Sequence, residues 1–144
     1  MKSKLLVDGT TDKTWVIIFE TGDEAMSGLL AFAAQQSITS AHFTAIGAFA
    51  SAVLGYFEWE TKQYRRFAVD EQVEVVTLIG DIALQNGKPA VHAHASLAKA
   101  GGSTVGGHFF EGHVRPTLEV VLGESPKHLE RKFDAESGLA LIRV

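Results

Sequence analysis

The pattern that most restricts the fold of this chain begins at Ser40 and persists almost to the C-terminus. Apolar, aromatic and β-branched residues recur at a period of two, broken by glycines and short polar turns. Side chains that alternate in this way line opposite faces of extended strands. In AHFTAIGAFASAVLGYFEWE, Gly47 and Gly55 fall inside apolar runs, which bulges or sharp bends explain better than a helix does. Tyr56, Glu58 and Glu60 then alternate with Phe57 and Trp59, as in a strand with one polar face. Residues 61–63 are the expected turn, and Tyr64 to Val69 the return strand. Val73 to Leu84 (VEVVTLIGDIAL) reads as a long strand bent at Gly80, and Asn86-Gly87 is a hairpin signal. Next come a strand with His92 and His94, a glycine-rich connection, and PTLEVVLG, apolar enough to run centrally.

Before Ser40 the pattern is mixed. Lys4 to Val7 and Thr14 to Phe19 are strand-like and flank a turn-rich segment over 8–13. The period then changes to that of a helix. Thr21-Gly-Asp-Glu24 has capping-box spacing, with Thr21 as N-cap, and Met26, Leu29, Leu30 and Ala33 follow on one face. The expected helix runs from Asp23 to Gln36 and lies on a sheet. After Gly123, SPKHLERKFD predicts a short helix or turn, and LALIRV a closing strand. One main helix among about eight strands indicates an α+β domain with a mainly antiparallel sheet. No repeat or linker divides the 144 residues, so residues 1–144 are expected to form a single domain.

Composition narrows the function. The chain has no cysteine, which excludes disulfides, thiolate nucleophiles and zinc sites built on sulfur. The first apolar run, Leu5 to Val7, is far short of a leader core, and no stretch nears the roughly 20 apolar residues of a membrane span. A cytoplasmic protein with no membrane partner is the expectation. The net charge of −4 and the scattered basic residues do not advertise a nucleic-acid face.

Four of the six histidines lie between Pro89 and Gly123. His92 and His94 are one residue apart in a segment read as β, so both imidazoles point to one face. On its own such a pair is as often solvated or hydrogen-bonded as metal-bound. The segment carrying His108 and His113 can fold back beside it through a turn at Gly101-Gly102. Three neutral imidazoles with an open fourth position are a recognised catalytic zinc set, and nitrogen-only sites also suit copper, nickel and iron. The candidate ligands are His92, His94 and His108, with His113 as a fourth ligand or a partner to one. His42 and His128 have no nearby partner in sequence.

Other motifs weigh less. His108-Phe-Phe-Glu111-Gly-His113 has one residue too many for a zincin signature and is interrupted by glycine. Glu111 is either a base beside a metal site or, more simply, an exposed turn carboxylate. GGSTVGGH matches no phosphate loop; Gly106 and Gly107 fit close approach of backbone to backbone or ligand. Tyr56, Phe57 and Trp59 suit core or interface packing better than base stacking.

The ordered series ITSAHFTAIGAFASAVLGYFE, VEVVTLIGDIAL, GKPAVHAHASLA and VGGHFFEGHVRPTLEVVLG, covering roughly residues 38–123, resembles the PPC (plants and prokaryotes conserved) domain in its free-standing prokaryotic form. The resemblance implies a strongly twisted antiparallel sheet with one helix packed on it, and a homotrimer. It also implies a metal site, typically zinc, at the histidines matching His92, His94 and His108; His113 falls at a more variable family position. A DNA-binding label travels with the family because the plant members carry AT-hooks. Here Arg115-Pro116 is the sole Arg-Pro and lacks the Arg-Gly-Arg-Pro core that lies along a minor groove. Three functions stay open: a metal-binding protein with a regulatory or DNA-associated role, a small enzyme using a metal-activated water, and an oligomerisation module whose histidines tie strands together.

Overall fold

The two longest alternating stretches become the two longest strands, β3 (Ser40–Glu58) and β7 (Thr104–Glu124), paired antiparallel at the centre of the sheet. The structure is a computed structural model and describes residues 1–10 and 12–144. Around the central pair run β1 (Lys2–Asp8), β2 (Lys13–Glu20), β4 (Gln63–Val69), β5 (Val73–Gln85), β6 (Lys88–Ala98), β8 (Glu130–Phe133) and β9 (Ala140–Arg143). The described residues contain one helix, α1 (Ala25–Gln35). The main path of the sheet is β1-β2-β7-β3-β5-β8-β9, with β4 hydrogen-bonded to β3. β6 pairs with both β5 and β7, so β3, β5, β6 and β7 form a closed circuit. All pairings are antiparallel except that of β5 with β8. This is the mainly antiparallel α+β fold expected from the alternation.

Strands this long close on themselves by bending, and the bends are bulges. The β3–β7 register slips between Gly47 and Phe49, between Phe49 and Ser51, and between Val53 and Leu54. Each inserted residue kinks a strand and adds local twist. Gly47 has φ +150°, and a Cβ there would lie 2.8 Å from Leu118 Cα, so glycine is the residue that fits this bulge. Gly80 behaves differently from expectation. β5 runs through it in register with Phe43 on one side and Ala93 on the other, and the slip in β5 lies between Val75 and Thr77. What demands glycine at position 80 is the carbonyl of His92 and the Phe43 ring, not a bend.

The inner faces of the strands enclose the core. Phe49 and Phe109 stack at 5.6 Å between ring centres, with Phe19, Phe43, Leu54, Leu118 and Leu122 fully buried around them. The helix adds Leu29, Phe32 and Ala33, and the Phe32 ring meets Trp15 edge-on at 5.3 Å.

Three local expectations are corrected. The helix starts at Ala25 rather than Asp23, and its N-cap is Glu24, not Thr21. The Glu24 carboxylate accepts from the amides of Met26 and Ser27, and also from Gly112 on β7, so one residue caps the helix and ties it to the sheet. Thr21 instead donates to the carbonyl of Pro116. The segment after Pro126 forms no helix; it becomes β8, which finds parallel partners at Leu84 and Gln85. The glycine-rich connection shrinks to a turn after Ala98, since Gly106 and Gly107 already belong to β7. Asn86 and Gly87 both have positive φ and make the expected hairpin turn. Of the turn expected over 8–13, residue 11 lies outside the described residues.

Candidate metal centre

The closed circuit of strands brings three imidazoles together. The hairpin of β6 and β7 sets His94 directly opposite His108, and His92, two residues back on β6, shares their face. One ligand nitrogen from each lies within 4.8 Å of the other two. Ring centres are 5.2 Å apart for His92–His94, 5.1 Å for His92–His108 and 5.5 Å for His94–His108. Gly107 makes the approach possible from behind: a Cβ there would stand 2.5 Å from the carbonyl oxygen of Gly55, which is His108's partner on β3. At Gly106 the same test meets the Ala95 carbonyl at 3.1 Å.

The electrostatics favour neutral rings. His108 is half-buried, and desolvation, reinforced by His92, His94, Arg66 and Arg131, pushes its pKa down to about 4. His92 is lowered too, first by burial and then by the Arg131 charge, with Asp81 opposing. Neutral imidazole is the form that binds metal. His108 Nδ1 is moreover buried with no hydrogen-bond partner. Buried polar nitrogens in folded proteins are nearly always satisfied, so an orphan beside two other imidazoles fits a missing ligand. Imidazole–zinc bonds of ~2.0–2.1 Å put tetrahedral donors about 3.3 Å apart, so small side-chain rotations from the present arrangement suffice. The residues fit a divalent ion held by three nitrogens.

Around the triad stand residues that the sequence did not single out. The Tyr64 ring lies 4.5 Å from that of His108, and Phe110 lies 4.6 Å from it, with Arg66 stacked over Phe110. Asp81 is the cross-strand partner of His92 and forms an ion pair with Arg131 of β8. A half-open cavity of about 250 Å³ runs from His92 and His108 to Arg131, with Tyr64 on its wall. No local motif marks Arg131, because it reaches the site through the long-range pairing of Gln85 with Arg131.

His113 and Glu111 are not gathered into this group. Both lie on β7, where the Glu111 carboxylate meets His113 Nε2 at 2.7 Å. His113 bridges Glu24 at the start of α1 and pairs with Ser51, whereas His108 pairs with Gly55. Four residues of strand separate those partners, on the order of 13 Å. His42, set aside in the sequence, lines a shallow apolar hollow together with Ile79, His92 and His94.

The chain is similar to several solved structures. A plant- and prokaryote-conserved (PPC) protein of Pyrococcus horikoshii is 31% identical, with a TM-score of 0.86, over 99% of this chain and 95% of that one. A metal-containing protein of Archaeoglobus fulgidus is 32% identical, TM-score 0.86, over the full length of both. A candidate DNA-binding protein of Ralstonia eutropha JMP134 is 27% identical, TM-score 0.85, over 90% of each. Comparison with the curated proteins finds no match. The sequence model of the Plants and Prokaryotes Conserved (PCC) domain, also abbreviated PPC, matches residues 7–126, and the chain belongs to that family.

Proposed function

We propose that this protein is a cytoplasmic, homotrimeric metal-binding PPC-domain protein that holds a divalent ion, zinc in the first instance, on His92, His94 and His108. The observation that carries the reading is the convergence of three imidazole nitrogens within 4.8 Å. The neutral state imposed on His108 and the metal-containing relative support it. Zinc suits a set of three nitrogens with one open position. Held by the three imidazoles, a divalent ion would supply Lewis acidity. Elemental analysis of the purified protein is the test. About one ion per chain in the wild type, and loss in His92→Ala and His94→Ala, is the expected result; equal metal in all three overturns it.

Association into an oligomer is supported by an exposed apolar face of the sheet. Val121, Thr44 and Ile79 are cross-strand neighbours in one row, Ile46 adjoins them, and the same row continues to His94. Ile46 and Ile79 are 61% and 51% exposed, unusual for strand isoleucines, and contiguous apolar surface of this kind marks association. A neighbouring copy on this face would border the metal site. Sedimentation of wild type against Ile79→Asp tests it: a wild-type monomer, or a trimer unaffected by the substitution, counts against this face. No helix among the described residues is long and apolar enough to cross a membrane.

A DNA-associated role is the second reading, carried by the description of the Ralstonia relative. The β3–β4 hairpin offers Lys62, Arg65 and Arg66 among exposed aromatic rings, interleaved with Glu58 and Glu60. A gel-shift series in rising salt decides it, because phosphate binding weakens steeply with salt. Absence of retardation at low salt removes the reading.

A further inference from the structure

Arg131 is a buried cation whose hydrogen bonds are incomplete. Its side chain is only 7% exposed. A guanidinium carries five N–H donors. Here Nη2 meets Asp81, Nη1 donates to the carbonyl of Ala140 at 3.3 Å, and Nε is buried without a partner. A charged donor left unmatched in the interior is costly, and such groups are found where something else completes them. Arg131 also lies on the wall of the half-open cavity that ends at His92 and His108.

The rest of that wall has a definite chemistry. Tyr64 and Gln85 contribute polar groups, Val91, Leu139 and Leu141 contribute carbon, and none of the lining residues is an acid. Tyr64 brings a phenol, which both donates and accepts, to the same wall as Arg131. Asp81, which is not among the lining residues, offsets part of the Arg131 charge. At about 250 Å³ the space falls below that of drug-sized pockets. Arg131 on β8 and Leu139 to Leu141 at β9 place the C-terminal hairpin on one side of this wall.

We propose that this cavity binds a small organic carboxylate, with the planar Arg131 fork on the carboxylate, the Tyr64 phenol as a second donor, and the short carbon body against Val91, Leu139 and Leu141. Arginine recognises carboxylates in this bidentate manner. The apolar wall favours an organic carboxylate over inorganic phosphate. The proposal rests on the metal reading only in that the ligand borders the triad; the Arg131 grip acts without an ion.

The test is calorimetric titration of butyrate, inorganic phosphate and n-butylamine into the full-length protein, metal-stripped and zinc-loaded, beside Arg131→Lys and Tyr64→Phe. Butyrate is expected to bind both forms and butylamine neither. Arg131→Lys, which keeps the charge but loses the fork, is expected to weaken butyrate by about tenfold or more, and Tyr64→Phe by a smaller factor. No butyrate binding, phosphate binding tighter than butyrate, or unchanged affinity in both variants overturns the proposal. Should circular dichroism find Arg131→Lys unfolded, Tyr64→Phe decides: unchanged butyrate affinity overturns the proposal, and weakened affinity supports it. Metal content of the same preparations separates this from the metal reading. Protein that takes up no zinc but binds butyrate through Arg131 overturns the metal site alone, and protein that holds zinc but ignores butyrate overturns this proposal alone.

Discussion

His108 and His113 lie five residues apart on the same strand, and their surroundings have nothing in common. His108 faces two other imidazoles, has a buried nitrogen with no partner, and is held neutral down to about pH 4. His113 is half-exposed and already paired with Glu111 at 2.7 Å. The bulge that shifts β7 against β3 between these positions changes which neighbours each side chain meets. Residue type and strand membership are equal for the two, so cross-strand partners alone account for the difference. A histidine that finds a carboxylate is satisfied, whereas one that finds two histidines keeps a ring nitrogen without a partner.

The largest test of this contrast is of the strand that carries both residues. Phe109, fully buried and stacked on Phe49, anchors β7 from below. Phe109→Ala should cost about 3–5 kcal/mol in denaturant unfolding. A cost below about 1 kcal/mol would mean that β7 is not the rigid element on which the comparison relies.

Removing a ligand comes next. His108→Ala should weaken zinc binding by more than ~100-fold, beyond the range for losing a residue that only supports a ligand. His113→Ala should leave zinc affinity within about threefold, as for a surface change away from the site. Equal losses in a competition assay with a chelator would erase the distinction between the two histidines.

Gly107 gives a structural handle on the same site. Gly107→Val pushes a side chain into the Gly55 carbonyl and should destabilise by about 1–3 kcal/mol, with weaker metal binding as His108 shifts. Unchanged stability and metal affinity would indicate that β3 and β7 are not so close.

The pH dependence separates the two histidines more gently. In metal-free protein, His108 titrates near 4 when folded and near ~6.5 when unfolded. Between those values the unfolded chain binds the extra proton, so stability is present above pH ~6.5 and is lost as pH falls toward 4. The lowered pKa of His92 acts with the same sign. Urea midpoints from pH 7.5 to 5 should decline more steeply in the wild type than in His108→Gln; parallel declines would contradict the neutral buried ring. The smallest effect belongs to the exposed pair: Glu111→Gln should change stability by no more than about 0.2–1 kcal/mol.

Much of the architecture was legible because alternation is a local property. The strands, the Asn86-Gly87 hairpin and the central course of PTLEVVLG follow from period and turn chemistry alone. Misreadings arose where a distant partner decided the outcome. Thr21 has the spacing of a cap, but its hydroxyl goes to the Pro116 carbonyl, while Glu24 gains the Gly112 amide as well as two helix amides. SPKHLERKFD has no strong strand pattern, yet β5 offers an open edge and β8 pairs with it. Gly80 looked like a bend because only the folded sheet sets the His92 carbonyl against it.

The sequence by itself determined the fold class and the chemistry that was available: an alternating chain without cysteine, with two histidines on one face of one strand and two more on a strand able to pair with it. The tertiary structure decided which histidines meet. It joined His108 to His92 and His94, left His113 with Glu111, and brought Asp81 and Arg131 to the edge of the group. The reason is one of range: which face a side chain takes is fixed by its own strand, but its neighbours come from register, bulges and strands far away in the chain.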